Sequence, residues 1–164
     1  MLTGAVVATR RLAVAPDETA WSLARKLDRP ALALLVELAG QLATGHRPIE
    51  TPQATEGVTE APRPTEQDLA IDWSQSAEEV VALVRAAAPH PGAGADFDGH
   101  FVEVFDASVA GVNPPPGLEV AEAWTAAGAW YVRCGRGAVR LDGVRGEDGE
   151  PAALDLWLGR PGRS

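Results

Sequence analysis

Apolar and polar positions change their period several times along this chain, and each change predicts an element. Residues 5–15 (AVVATRRLAVA) are mostly apolar and rich in Val, with Arg10 and Arg11 interrupting. That run predicts a strand stopped by Pro16, although a single strand has nothing to pair with. Thr19 then offers an N-cap, and Trp21, Leu23, Ala24 and Leu27 follow at helical spacing. Pro30 is expected to restart or kink this helix, because a proline costs about 3 kcal/mol in a helix interior. In the next stretch, ALALLVELAGQLATG, Leu32, Leu35, Val36, Ala39 and Leu42 share one face, and Gly45 is placed to cap the C-terminus. These positions read as packing rather than as a site.

From His46 to Ala70 the periodicity vanishes among Pro48, Pro52, Pro62 and Pro64, with Thr and Glu between them. An extended linker between two units accounts for this better than a loop inside one. Residues 76–88 (SAEEVVALVRAAA) predict a helix: Ser76 and Glu79 have capping-box spacing, Val80, Leu83, Val84 and Ala87 form the stripe, and Pro89 ends it. Short β-like runs follow at 101–109, 117–123, 129–134 and 137–144, with a further one at 154–158, separated by glycine-rich turns. Four or five short strands so closely spaced predict a small antiparallel barrel or sandwich. By alternation, Phe101, Phe105, Val109, Val139 and Leu141 are expected inside it.

The 164 residues suit one domain or two small ones and exclude a large multidomain enzyme. The net charge of −9 is concentrated in the middle: residues 49–99 carry two Arg/Lys against ten Asp/Glu. Such a field disfavours sequence-independent nucleic-acid binding by the chain as a whole, while leaving local basic patches open. The acidic stretch (Glu50, Glu56, Glu60, Glu66, Asp68) reads as a solvated linker face, with a docking segment for a basic partner as the sharper alternative. No apolar run approaches the roughly 18 to 20 residues of a membrane span, and no signal-like segment opens the chain, so a cytoplasmic protein is expected.

The chemistry is sparse. Cys134 is the single cysteine, which excludes an internal disulfide, and His46, His90 and His100 are scattered, so no metal-ligand spacing is present. Cys134, in CGRG, reads as a packed thiol rather than a nucleophile. The glycines of PGAGADFDG read as a turn entering a strand, not as a phosphate loop. Trp73 reads as packing for the helix N-terminus. Arg133, Arg136, Arg140 and Arg145 gather near one hairpin, with Asp142, Glu147, Asp148 and Glu150 close enough in sequence to offset much of their field.

Several segments in order carry a resemblance: PDET (Pro16 to Thr19), Pro52 and Gln53, APRPTEQDLAIDWSQSAEEV, VRAAAPHPGA (Val84 to Ala93), FDGHFVEVFDASV and CGRGAVRL. Together, from residue 4 to about residue 159, they resemble the second half of the methionyl-tRNA formyltransferase family. The resemblance implies an α+β, mostly β chain. In it, residues 71–164 would form an antiparallel barrel of oligonucleotide-binding (OB) type preceded by a helix, 51–70 a Pro-rich linker, and 1–50 a strand and helices left from a truncated α/β catalytic domain.

It also implies what is missing. The family's catalytic Asn and His have no counterpart, Asn113 being the only asparagine, and Leu2 stands where the catalytic Asp would fall, before Gly4. The family's lysine after the linker proline is matched by Arg63, which keeps the charge but not the geometry. No catalytic residue is therefore assigned, nor any metal or cofactor; the 10-formyltetrahydrofolate donor would belong to the missing catalytic domain. Expected is a non-catalytic accessory module that holds an aminoacyl-tRNA or another amine for a separate catalytic chain. The alternative is one half of a split or truncated formyltransferase. Arg85, Arg133, Arg136, Arg140 and Arg145 are the candidate substrate or nucleic-acid contacts, and a catalytic chain or a second copy is the candidate protein partner.

Overall fold

A computed structural model of the chain describes residues 4–54, 56–152 and 154, and divides the chain into two units with the boundary between Arg63 and Pro64. In the first unit the chief element is α1, Ala20–Ala43. Thr19 caps it as expected, with the Ser22 amide donating to its Oγ1 at 3.1 Å and the Ser22 hydroxyl answering the Thr19 amide. Pro30 lies inside α1 and does not divide it. Its fixed φ is helical, so the proline removes only one bond, to the Lys26 carbonyl, and the turns on either side carry the helix through. Gly45, at φ 80°, closes the helix: its amide donates to Leu42 and that of His46 to Gln41.

The strand expected at 5–15 is not formed. Only Val6 pairs, with Thr51, in an isolated antiparallel bridge of 2.8 and 2.9 Å. Residues 7–15 have no second strand to lie against among the described residues, and an unpaired strand has no ladder to hold it. None of the residues of α1 is buried.

The second unit holds a 3₁₀ turn, Gln67–Leu69, then α2, Ala77–Ala87, and five strands: β1 Ala93–Phe97, β2 His100–Val109, β3 Ala123–Ala126, β4 Ala129–Arg133 and β5 Ala138–Gly146. All pairings are antiparallel, in the order β1-β2-β5-β4-β3. The linker expected to reach Ala70 thus ends earlier. The ladder also leaves β1 and β3 as edges, so the closure expected of a barrel is not seen among the described residues.

Two strands differ from expectation. Within PGAGADF, Ala93–Phe97 form β1, joined to β2 by a two-residue hairpin in which Asp98 and Gly99 take φ 52° and 83°. The run expected at 117–123 is mostly loop, with β3 starting only at Ala123, and the run expected at 154–158 lies outside the described residues beyond Leu154.

The core lies between α2 and one face of the sheet. Val80, Val84 and Ala87 of α2 meet Val102, Val104, Val132, Val139 and Leu141, and Trp73 closes the end against Phe97 at 6.0 Å between ring centroids. Each fully buried valine contributes about 1.5 kcal/mol or more. Val139 and Leu141 are inside as expected, but Phe101 and Val109 are 44% exposed and Phe105 is half-buried.

The physical reason lies in two glycines and a bulge. A Cβ on Gly94 would stand 3.0 Å from the Phe101 ring, and one on Gly143 would stand 2.5 Å from that of Phe105. Each phenylalanine lies over a glycine on the outer face, which leaves Val102 and Val104 to face α2. Register shifts between Val104 and Ala107 then break the simple alternation on which the expectation for Val109 rested.

Candidate functional site

Two distant segments meet at the entrance of α2. Asp72 Oδ1 accepts from the Ser74 amide (2.9 Å) and hydroxyl (2.6 Å), while Oδ2 accepts from Gln75 Nε2 (2.8 Å). The Gln75 and Ser74 bonds hold the Asp72 carboxyl below its ordinary pKa. The turn so fixed delivers the Trp73 carbonyl to the Gly135 amide at 2.8 Å, and the Ala77 amide donates to the Arg136 carbonyl at 2.9 Å. IDWS and CGRG are therefore two halves of one joint that seats α2 on the β4–β5 connection.

A second joint is built around Arg145. Its Nε donates to Glu103 Oε2 at 2.5 Å, and its Nη2 donates to the carbonyls of Pro89 (2.9 Å) and Pro91 (2.7 Å) and lies 3.0 Å from His90 Nδ1. The guanidinium carbon also sits 5.4 Å from the Phe105 ring centroid. With its side chain only 15% exposed, Arg145 clamps the APHPGA segment to the sheet.

The other candidate arginines are placed differently. Arg133 donates from Nη1 to the Leu118 carbonyl, and Arg136 lies 3.6 Å from Glu78 with both groups well exposed. Arg140 Nε donates to Asp142 Oδ1 at 2.6 Å, and that bond raises the guanidinium pKa further. Arg85 occupies the last turn of α2, at the opposite end from the Glu78 that Arg136 meets. Arg140 and Arg145 stand five residues apart on β5, about 17 Å along an extended strand. Arg136 and Arg140 are exposed, and Arg85, Arg133 and Arg145 are half-buried.

Cys134 is buried, and burial, helped by the charge of Glu78, pushes its thiol up to about 11. A thiol held neutral is a packing group, not a nucleophile. Among the described residues no group of His, Cys, Asp and Glu is arranged to hold a metal ion. Asn113 is exposed in the loop before Pro114, and Leu2 lies outside the described residues.

The sequence also left two features unread. Trp124 and Tyr131 stack at 5.3 Å and 21°, forming with Ala138 a small second cluster. Beside the edge strand β1 lies an open groove of about 470 Å³ lined by Leu69, Ile71, Gly94, Phe101 and the carboxylates of Glu66 and Asp96.

Residues 64–161 match the family described as formyl transferase, C-terminal domain. The chain belongs to this family. Over 162 residues this formyl transferase C-terminal domain protein is 32% identical to the methionyl-tRNA formyltransferase of Burkholderia multivorans, a match that covers 97% of the chain and 49% of that relative. Over 119 residues it is 38% identical to the methionyl-tRNA formyltransferase of Symbiobacterium thermophilum, covering 73% of the chain and 36% of the relative. It spans half or less of the length of these relatives. A crystal structure of HypX from Aquifex aeolicus superimposes with a TM-score of 0.69 at 22% identity, over 88% of the chain and 26% of HypX; a second, in complex with tetrahydrofolic acid, gives 0.67. That likeness is one of fold. Both joints and all five candidate arginines fall inside the matched C-terminal domain. No described helix is long and apolar enough to cross a membrane.

Proposed function

We propose that this formyl transferase C-terminal domain acts as a non-catalytic substrate-side module, holding an aminoacyl-tRNA or a comparable amine for a formyltransferase catalytic chain. The observation that carries the reading is the match of residues 64–161 to the family's C-terminal domain in a chain whose one thiol is buried and held neutral. General acid–base or nucleophilic formyl transfer needs a positioned base and a polarised carbonyl, and none of the described residues form that pair. The 10-formyltetrahydrofolate donor belongs, in this reading, to the catalytic chain. An oligonucleotide-binding role for the sheet is part of the same proposal, with Arg85, Arg136 and Arg140 as its phosphate contacts and Arg133 as an adjunct. Arg145 serves as a structural clamp.

A second reading is favoured by one observation. No residue of α1 is buried, and Leu32, Leu35 and Val36 are 61%, 66% and 64% exposed. Helix faces of this kind ordinarily lie under other structure. They support one half of a split or truncated formyltransferase whose catalytic half covers α1.

Titration with methionyl-tRNA at low salt tests the substrate-side role. Binding is expected to weaken with salt, and Arg136→Gln with Arg140→Gln to lower the slope of log affinity against log salt by up to about two units. Absence of binding at low salt overturns the tRNA role.

A further inference from the structure

We propose that the groove beside β1 receives one arginine side chain of a partner protein, its guanidinium stacked on Phe101 and paired with Asp96. The inference goes beyond the formyl-transfer reading and does not depend on it.

The sheet already holds one arginine in this way. Arg145 donates to Glu103 at 2.5 Å, its guanidinium carbon stands 5.4 Å from the centre of the Phe105 ring, and a Cβ on Gly143 would collide with that ring. A carboxylate fixes the direction of the fork, a ring attracts the cation, and a glycine makes room for the ring. The same three parts recur on the β1–β2 hairpin. Asp96 and Phe101 are directly opposite in the register and share one face, which places their Cβ atoms about 4.5–5.5 Å apart. The Phe101 ring lies over Gly94, and the residue is 44% exposed.

The groove around this pair, about 470 Å³, suits a side chain rather than a strand. The edge of β1 at Gly94 is taken by Ala70 and Ile71, the Ile71 amide donating to the Gly94 carbonyl at 2.7 Å. Leu69 and Ile71 offer apolar surface to the methylene stem of an arginine. Glu66 and Asp96, both exposed, meet its charge, and neither is paired with a cation among the described residues. The Gly99 amide engages Oδ1 of Asp96 and leaves Oδ2 for the guanidinium. Charge complementarity argues for a basic protein surface as the source, because residues 49–99 carry two Arg/Lys against ten Asp/Glu. A lysine would bring the charge without the plane that stacks.

The test titrates the full, isotope-labelled chain with N-acetyl-arginine methylamide and follows its backbone amides by NMR. Saturable shifts at Ile71, Gly94, Asp96 and Phe101 are expected, with a dissociation constant on the order of 1 mM for a single side chain. The lysine analogue should bind about threefold more weakly, and the neutral citrulline analogue at least about tenfold. Asp96→Asn and Phe101→Leu should each weaken the arginine probe about threefold. Asparagine at 96 can still accept from the Gly99 amide, and Glu66→Gln, which breaks no bond assigned within the chain, should weaken binding in the same direction and guards against a misfolded hairpin. Free L-arginine, whose carboxylate the groove repels, should bind more weakly than the capped probe. Absence of saturable shifts at the groove overturns the proposal, as does a lysine analogue that binds as tightly as arginine, or affinity unchanged by Asp96→Asn or by Phe101→Leu. Tighter binding of free arginine than of the capped probe overturns the assignment to a partner protein.

Discussion

Gly135 passes so close to Ser74 that a Cβ on it would stand 2.8 Å from the Ser74 carbonyl carbon and overlap the carbonyl oxygen. The contact is backbone against backbone, so no side chain can swing aside. Gly135→Ala should therefore force the CGRG turn off the Trp73 carbonyl and destabilise the chain by about 2–4 kcal/mol. Gly111, where a Cβ would meet nothing within 4 Å, provides the control: Gly111→Ala should shift the denaturation midpoint little. Paired urea titrations decide the point, and equal midpoints would contradict it.

The Arg145 clamp predicts a loss that restoring the charge does not repair. Arg145→Lys keeps a cation but cannot reach Glu103 and the Pro89 and Pro91 carbonyls at once, whereas the guanidinium fork does. A cost of about 1.5–3 kcal/mol is expected from groups left half-buried without partners. Thermal melts of the lysine variant near those of the wild type would refute the clamp.

How much of this was legible in the sequence varies by element. The capping boxes at Thr19 and Ser76 and the stripe of α2 were, because local hydrogen bonds and a helical period fix them. The inward phase of β2 was not, since it depends on Gly94 and Gly143 in neighbouring strands, which offer the outer face to Phe101 and Phe105. Asp98-Gly99 is a readable hairpin signal that places β1, and it was masked by the nearby prolines and glycines. Arg133, Arg136, Arg140 and Arg145 are close in sequence, but sequence distance does not show the partners that already hold Arg133, Arg140 and Arg145.

The β3–β4 hairpin turns through Ala127 and Gly128 at φ 49° and 77°. Left-handed backbone is costly for alanine and free for glycine. Ala127→Gly should therefore leave the fold unchanged and stabilise it by about 0.5–1 kcal/mol, despite the added freedom of the unfolded chain. A lower midpoint in urea would count against the turn geometry.

Acid should unfold the chain in a defined window. Glu79 is held below its ordinary value of 4.5 by the Ser76 hydroxyl and amide, and Asp72 below 3.8 by Gln75 and Ser74. A depressed carboxyl contributes stability that is present above the unfolded pKa and lost as the pH falls through the folded one. Stability should accordingly be level above about pH 5 and decline below it, with Glu79→Gln reducing the decline. Cys134 has the opposite sign: raised from 9.0 to about 11, it adds stability that is lost as the pH rises through that interval. A flat acid limb in pH-dependent urea titrations would contradict the bonds assigned to Glu79 and Asp72.

The proposed division of labour between this chain and a catalytic formyltransferase is tested most directly by reconstitution. Formyl transfer from 10-formyltetrahydrofolate to methionyl-tRNA would be measured for the chain alone, for the catalytic half of the Burkholderia multivorans enzyme alone, and for the two together. The account predicts no turnover by the chain alone and a higher kcat/KM for the mixture than for the catalytic half. Turnover by the chain alone, or a mixture no better than the catalytic half, would contradict it.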